Sequence, residues 1–110
     1  SSDMDKNRFY GLSTNQIAMT KVNYLHQLGF TGEGVTIAVL DAGFYKVNEL
    51  DAFKYLWNTG RIVDVWDFVE NDSNVFDADM HGMNVLSCMS TYLPMIHIGS
   101  SYGAKYLLLR

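Results

Sequence analysis

Two residues in this sequence combine a reactive side chain with a setting that could put it to use. Asp41 directly follows Val35-Thr-Ile-Ala-Val-Leu40, and His81 opens the segment His81-Gly-Met-Asn-Val-Leu-Ser87. A carboxylate that accepts a hydrogen bond from one imidazole nitrogen fixes the ring's tautomer and leaves the other nitrogen free to act as a base. The carboxylate also supports the imidazolium that forms during turnover. From spacing alone, a buried aspartate satisfied by backbone donors and a structural histidine would look the same.

Other residues offer less. Asp77-Ala-Asp79-Met-His81 combines hard oxygen ligands with an imidazole, which could hold a metal ion. A metal-dependent hydrolase built on Asp41, Asp79 and His81 is therefore a third reading. An acidic loop before a helix is more simply explained by solvation and by the helix dipole. Gly29-Phe-Thr-Gly-Glu-Gly34 resembles a dinucleotide loop only superficially, because it precedes a strand where such a loop should follow one. His26 and His97 read as structural or exposed, and Cys88 as a small buried hydrophobe within a helix.

The elements that must position Asp41 and His81 follow from periodicity and punctuation. Residues 1–9 read as a loose, polar terminus. Asn15 to Leu28 is helical in pattern, with Ile17, Tyr24, Leu25 and Leu28 on one stripe and Gly29 as its stop. Val35–Leu40 is a short, almost wholly apolar run, read as a strand buried on both faces as in a parallel sheet. Asp41 then stands at the carboxyl end of that strand, where open α/β sheets build their sites. A short helix is expected around Asp51–Trp57, closed by Gly60. A second strand follows over Arg61–Val69, then an acidic loop over Glu70–Asp79. His81–Thr91 reads as a helix with Pro94 just beyond it, and Ala104–Leu109 as a third buried strand. Three such strands with two or three helices cannot cover both faces of a parallel sheet. The expectation is therefore part of a domain whose remaining layers lie elsewhere.

Composition bounds the partners. The 110 residues are 48% hydrophobic and carry 8 basic against 12 acidic side chains, a net charge of −4. So much apolar material argues against disorder. The acidic balance supplies no basic stripe for nucleic acid. No run approaches the roughly 18 apolar residues of a membrane span. One cysteine permits no internal disulfide.

The local words around these residues go further than their spacing. Val39-Leu-Asp-Ala-Gly-Phe44 resembles the aspartate motif of subtilisin-like serine proteases, a strand ending in Asp-Thr/Ser-Gly. His81-Gly-Met-Asn-Val-Leu-Ser87 resembles their histidine motif, His-Gly-Thr-His-Val-Ala-Gly. Tyr10-Gly11 followed by a helix, then Gly29–Val39, looks like the lead-in to the family's first core strand. Gly99-Ser-Ser-Tyr-Gly-Ala-Lys-Tyr-Leu-Leu-Leu109 looks like the turn and strand after its histidine helix. The resemblance runs from Tyr10 to Arg110 in the family's order. It departs at Ala42, where Thr or Ser is usual, at Asn84, where a second histidine lies, and at Leu86-Ser87, where Ala-Gly would pack more closely.

What the resemblance implies is an α/β fold, a mostly parallel sheet flanked by helices, with residues 10–110 forming the N-terminal part of a subtilisin-like peptidase domain. It implies peptide-bond hydrolysis by an Asp-His-Ser triad in which Asp41 and His81 are the first two members. None of Ser1, Ser2, Ser13, Ser73, Ser87, Ser90, Ser100 and Ser101 stands in the family's Gly-Thr-Ser-Met-Ala setting. The serine is therefore expected from a C-terminal part outside this chain, possessing the oxyanion hole and specificity pockets as well, and the chain alone is expected to be inactive. The partners implied are that remaining part and a protein or peptide substrate, with no nucleic acid and no membrane span. No cofactor is required. Calcium stays open as a structural ion, with Glu49 near an expected ligand position, although Thr91–Ile98 lacks the Asn-rich loop of the family's strong site. The family works outside the cytoplasm, so a secreted or cell-envelope setting is expected. The alternative is a catalytically inactive subtilisin-like binding module.

Overall fold

A computed structural model of the chain describes residues 26–110. The expected loose terminus, Tyr10-Gly11 and most of the Asn15–Leu28 helix lie outside the described residues. Of that helix, His26 and Gln27 are helical, and the chain turns at Gly29 with φ +88°. Leu28, placed by periodicity on one stripe with Ile17, Tyr24 and Leu25, is exposed.

The described residues form a small α/β unit. Strand β1 (Thr36–Leu40) leads to a 3₁₀ turn (Asp51–Phe53) and the short helix α1 (Lys54–Asn58). Strand β2 (Ile62–Trp66) leads to helix α2 (His81–Ser90), the two-residue strands β3 (Tyr92–Leu93) and β4 (His97–Ile98), and strand β5 (Lys105–Leu109). The sheet order is β1-β5-β2 with both pairings parallel, so the last strand lies between the first two. Strands β3 and β4 form an antiparallel hairpin turned by Pro94-Met95-Ile96. No helix among the described residues is long and apolar enough to cross a membrane.

Side chains alternate across a strand, so the register decides which face is buried. Val39 and Leu108 pair and are both buried, with half-buried Val65 opposite Leu108 on β2. Tyr106 belongs to the same face and is fully buried. Its hydroxyl donates to the Ser101 carbonyl at 2.7 Å, and burial raises its pKa well above the ordinary phenol value. The core continues through Phe44, Val47, Phe53, Leu56, Val75 and Leu86. On the other face Leu107 and Leu109 are half-buried and Leu40 is 74% exposed. The expectation that β1 is buried on both faces is thus corrected: among the described residues β1 is an edge strand, covered on one face by α2 and the Phe44–Val47 segment.

In β2 the ladder slips between Ile62 and Asp64, a bulge that leaves Val63 exposed and returns Val65 to the core face. The Gly29–Gly34 turn packs against the turn before β5. A Cβ at Gly32 would lie 3.1 Å from the Ala104 Cβ, and the Gly103 amide donates to the Thr31 carbonyl at 2.8 Å. This glycine-rich segment therefore serves as a packing corner leading into β1.

Candidate active site

Asp41 is fixed by the ladder it terminates. Its amide donates to the Leu109 carbonyl at 3.0 Å, extending the β1–β5 pairing by one residue. The carboxylate is then presented at the carboxyl edge of the sheet, with its side chain 10% exposed. Oδ1 accepts from the Ala42 amide at 2.7 Å. That bond leaves Oδ2 for a second partner.

His81 reaches Asp41 because two loops are stitched together. The amides of Phe44, Tyr45 and Lys46 donate to the carbonyls of Val75, Asp79 and Phe76, at 2.9, 3.2 and 3.0 Å. Phe44 and Val75 are both fully buried beneath this seam. Helix α2 starts at the end of the second loop, where Asp79 Oδ1 accepts from the His81 amide at 2.7 Å. A carboxylate at this position satisfies one of the helix's unpaired amides and complements its dipole. Asp77, in the same loop, accepts from Asn74 Nδ2 at 2.7 Å.

The two elements approach more closely than side chains normally permit. A Cβ on Gly82 would collide with the Gly43 carbonyl oxygen and lie 2.9 Å from Phe44 Cε1 and 3.0 Å from Asp41 Cβ. A Cβ on Gly43 would in turn run into the Asp79 backbone and lie 2.6 Å from Ala78 Cβ. Glycine at both positions lets the first turn of α2 rest directly on the Asp41–Gly43 backbone. Gly82, Leu86 and Ser90 recur every four residues and form the buried stripe of α2.

The outcome is a direct contact between the two residues singled out by sequence. His81 Nδ1 lies 2.7 Å from Asp41 Oδ2. An ionised carboxylate can only accept, so Nδ1 carries the proton and donates it into this bond. The histidine side chain is 70% exposed, and Nε2 hydrogen-bonds to none of the described residues. A neutral ring in this tautomer has its basic lone pair on Nε2, facing outward, where it can accept a proton from an incoming hydroxyl or water.

Other candidates fall elsewhere. Among the described residues no group of three or more His, Cys, Asp and Glu side chains is arranged to hold a metal ion, and Asp79 Oδ1 is engaged by the His81 amide. His26 Nε2 and His97 Nε2 lie 2.9 and 3.2 Å from the carbonyls of Ser100 and Ser87. Cys88 is exposed on α2, which corrects its reading as a buried hydrophobe. Ser90 takes the buried position and donates to the Leu86 carbonyl at 2.7 Å. Leu86, where looser packing is expected, is fully buried in the core. None of the described serines hydrogen-bonds to His81. Gly82 is the residue that sequence reasoning undervalued, and the His-Gly dipeptide was the available signal.

No protein-family model matches the chain, and no curated protein matches it.

Proposed function

We propose that Asp41 and His81 are the first two members of an Asp-His-Ser triad in a serine endopeptidase of subtilisin-like architecture. The observation that carries this reading is the 2.7 Å contact from His81 Nδ1 to Asp41 Oδ2, with the imidazole otherwise open to solvent. The order of motifs quoted from Val39–Phe44, His81–Ser87 and Gly99–Leu109 supports the family, as does a parallel sheet that delivers Asp41 at a strand's carboxyl end.

In this reading a serine from outside these 110 residues places its hydroxyl against Nε2. His81 takes the hydroxyl proton as oxygen attacks the scissile carbonyl, then returns it to the leaving amine. Asp41 holds the ring in the productive tautomer and stabilises the imidazolium between those two steps. The remainder of the domain supplies the oxyanion hole and the pockets for a protein or peptide substrate. The chemistry requires no cofactor, and the family resemblance brings with it a secreted or cell-envelope setting.

The test is denaturing intact-mass spectrometry of natively purified material after treatment with a fluorophosphonate. A serine activated by His81 displaces fluoride and retains one phosphonyl adduct, so the expected result is a single adduct on the polypeptide bearing that serine. Absence of any adduct, together with no cleavage of a peptide library, would overturn the protease reading in favour of an inactive binding module. Inhibition of cleavage by a chelator without labelling would point instead to metal-dependent hydrolysis.

A further inference from the structure

A second aspartate ends a strand of the same sheet. Asp67 directly follows β2 as Asp41 directly follows β1, and its side chain is 1% exposed. Its Oδ1 accepts from the amides of Val69 and Glu70 at 2.8 and 3.0 Å, and its Oδ2 accepts from Arg110 Nη1 at 2.9 Å. The same guanidinium turns a second donor toward the other strand end: Arg110 Nε donates to the Ala42 carbonyl at 3.0 Å. Ala42 is the residue whose amide donates to Asp41 Oδ1. It is therefore held at both ends, by the Asp41 carboxylate through its N–H and by Arg110 through its C=O.

We infer that Arg110, aimed by the buried Asp67, is a positioning residue that pins Ala42 and thereby holds the Asp41 carboxylate in line with His81 Nδ1. The guanidinium suits this role because it is planar and offers several donors in a rigid fork, so one group can bridge two acceptors that an ammonium meets as a point charge. The main chain of Arg110 is fixed as well. Its amide donates to the Trp66 carbonyl at 2.9 Å, and its carbonyl accepts from the Phe68 amide at 2.7 Å. The side chain thus extends from a locked backbone. Burial alone would push the Asp67 carboxyl up, but the Glu70 amide, the Arg110 guanidinium and the Val69 amide together hold it below the ordinary carboxyl value, so the anion that aims Arg110 is kept charged.

The inference rests on Asp41 and His81 being a working couple, but its test reads the imidazole itself. Failure to cleave peptides would sink the protease reading and leave this one standing. The protein is labelled with ¹⁵N-histidine, and the His81 ring signals are assigned by their loss in His81→Gln. At a pH where the rings are neutral, the wild type is expected to hold its proton on Nδ1. In Arg110→Lys and Asp67→Asn the share of that tautomer should drop by at least about twofold, since the other nitrogen's hydrogen bond sets the tautomer. Arg61→Lys, which alters a guanidinium bonded to Glu33 and to the Gly103 carbonyl, away from Asp67 and Ala42, should leave it unchanged. Native amide spectra with an unaltered His81 tautomer in both variants would overturn the inference. Should both variants fail to fold, exchange of the Arg110 Nε–H in the wild type decides: protection supports the clamp, and exchange as fast as in a free arginine side chain overturns it.

Discussion

His81 Nδ1 donates to Asp41 Oδ2 across 2.7 Å, and the contact is possible only because Gly82 has no side chain to keep α2 away from the Gly43 backbone. A reactive pair separated by forty residues is therefore set by a backbone-to-backbone approach. That relation makes several outcomes measurable.

Asp41→Asn should disable the couple without disturbing the fold. The amide retains the shape of the carboxylate but can turn its NH₂ toward His81, which favours the wrong tautomer and leaves the imidazolium unsupported. If the pair serves the proposed triad, kcat should drop by about 10⁴-fold, the loss typical of this substitution in triads. Steady-state hydrolysis of a peptide substrate reads it directly, and a variant retaining near-normal kcat would remove Asp41 from the mechanism.

Gly82→Ala sets two effects against each other. Within a helix, alanine is favoured over glycine by about 1 kcal/mol. Here the added methyl would overlap the Gly43 carbonyl and crowd Phe44 and Asp41, contacts with rigid groups that cannot easily yield. Overpacking of this kind costs about 1–3 kcal/mol. The clash should win, so urea unfolding should show net destabilisation together with a weakened His81–Asp41 bond. A stabilised variant would mean that α2 can shift freely.

Acid stability should depend on Asp67. Its carboxyl lies below the ordinary value of 3.8 because hydrogen bonds from Glu70, Arg110 and Val69 outweigh its burial. A depressed folded-state pKa stabilises the protein fully above the unfolded value, and that contribution is lost as pH falls below about 3.8 toward the folded value. Asp67→Asn should therefore flatten the fall in stability below that pH. Denaturant melts at stepped pH would show it, and an unchanged acid limb would contradict the assignment.

Leu86 and Cys88 should differ sharply despite lying two residues apart on α2. Leu86 is fully buried, so Leu86→Ala should cost about 2–5 kcal/mol. Cys88 is exposed, so Cys88→Ser should change stability by less than about 0.5 kcal/mol, and the thiol should react with a disulfide reagent in the native protein. A thiol that reacts only on unfolding would contradict the exposed placement.

These contrasts mark where the sequence could be read and where it could not. Strands β1, β2 and β5 and helix α2 were legible because apolar runs and glycines outline them, and each lies within its expected segment. Asp41 and His81 were singled out by their places at element ends and by the local words around them, and the structure brings their side chains into contact. The faces were harder. In a helix of 3.6 residues per turn, Cys88 lies on the side opposite Leu86 and Ser90 takes the buried place, although composition alone favours cysteine inside. Leu40 is exposed because it points to the face of β1 opposite the core, and which face is covered is specified by no local pattern. The β3–β4 hairpin has two residues per strand, too few to show any period. The partnership of Asp67 with Arg110 joins positions 43 apart and has no signature in either neighbourhood.

The position of β5 between β1 and β2 also orders events in time. Of the described strands it is the last to be synthesised, yet neither of the other two has a neighbour in the sheet until it arrives. While the polypeptide grows, the Asp41 end of β1 and all of α2 precede the ladder that will hold them. Parallel pairing between such distant segments is slow, because loop closure must come before the contacts that reward it. The ladder that ends at Asp41 therefore cannot close until Lys105–Leu109 is present.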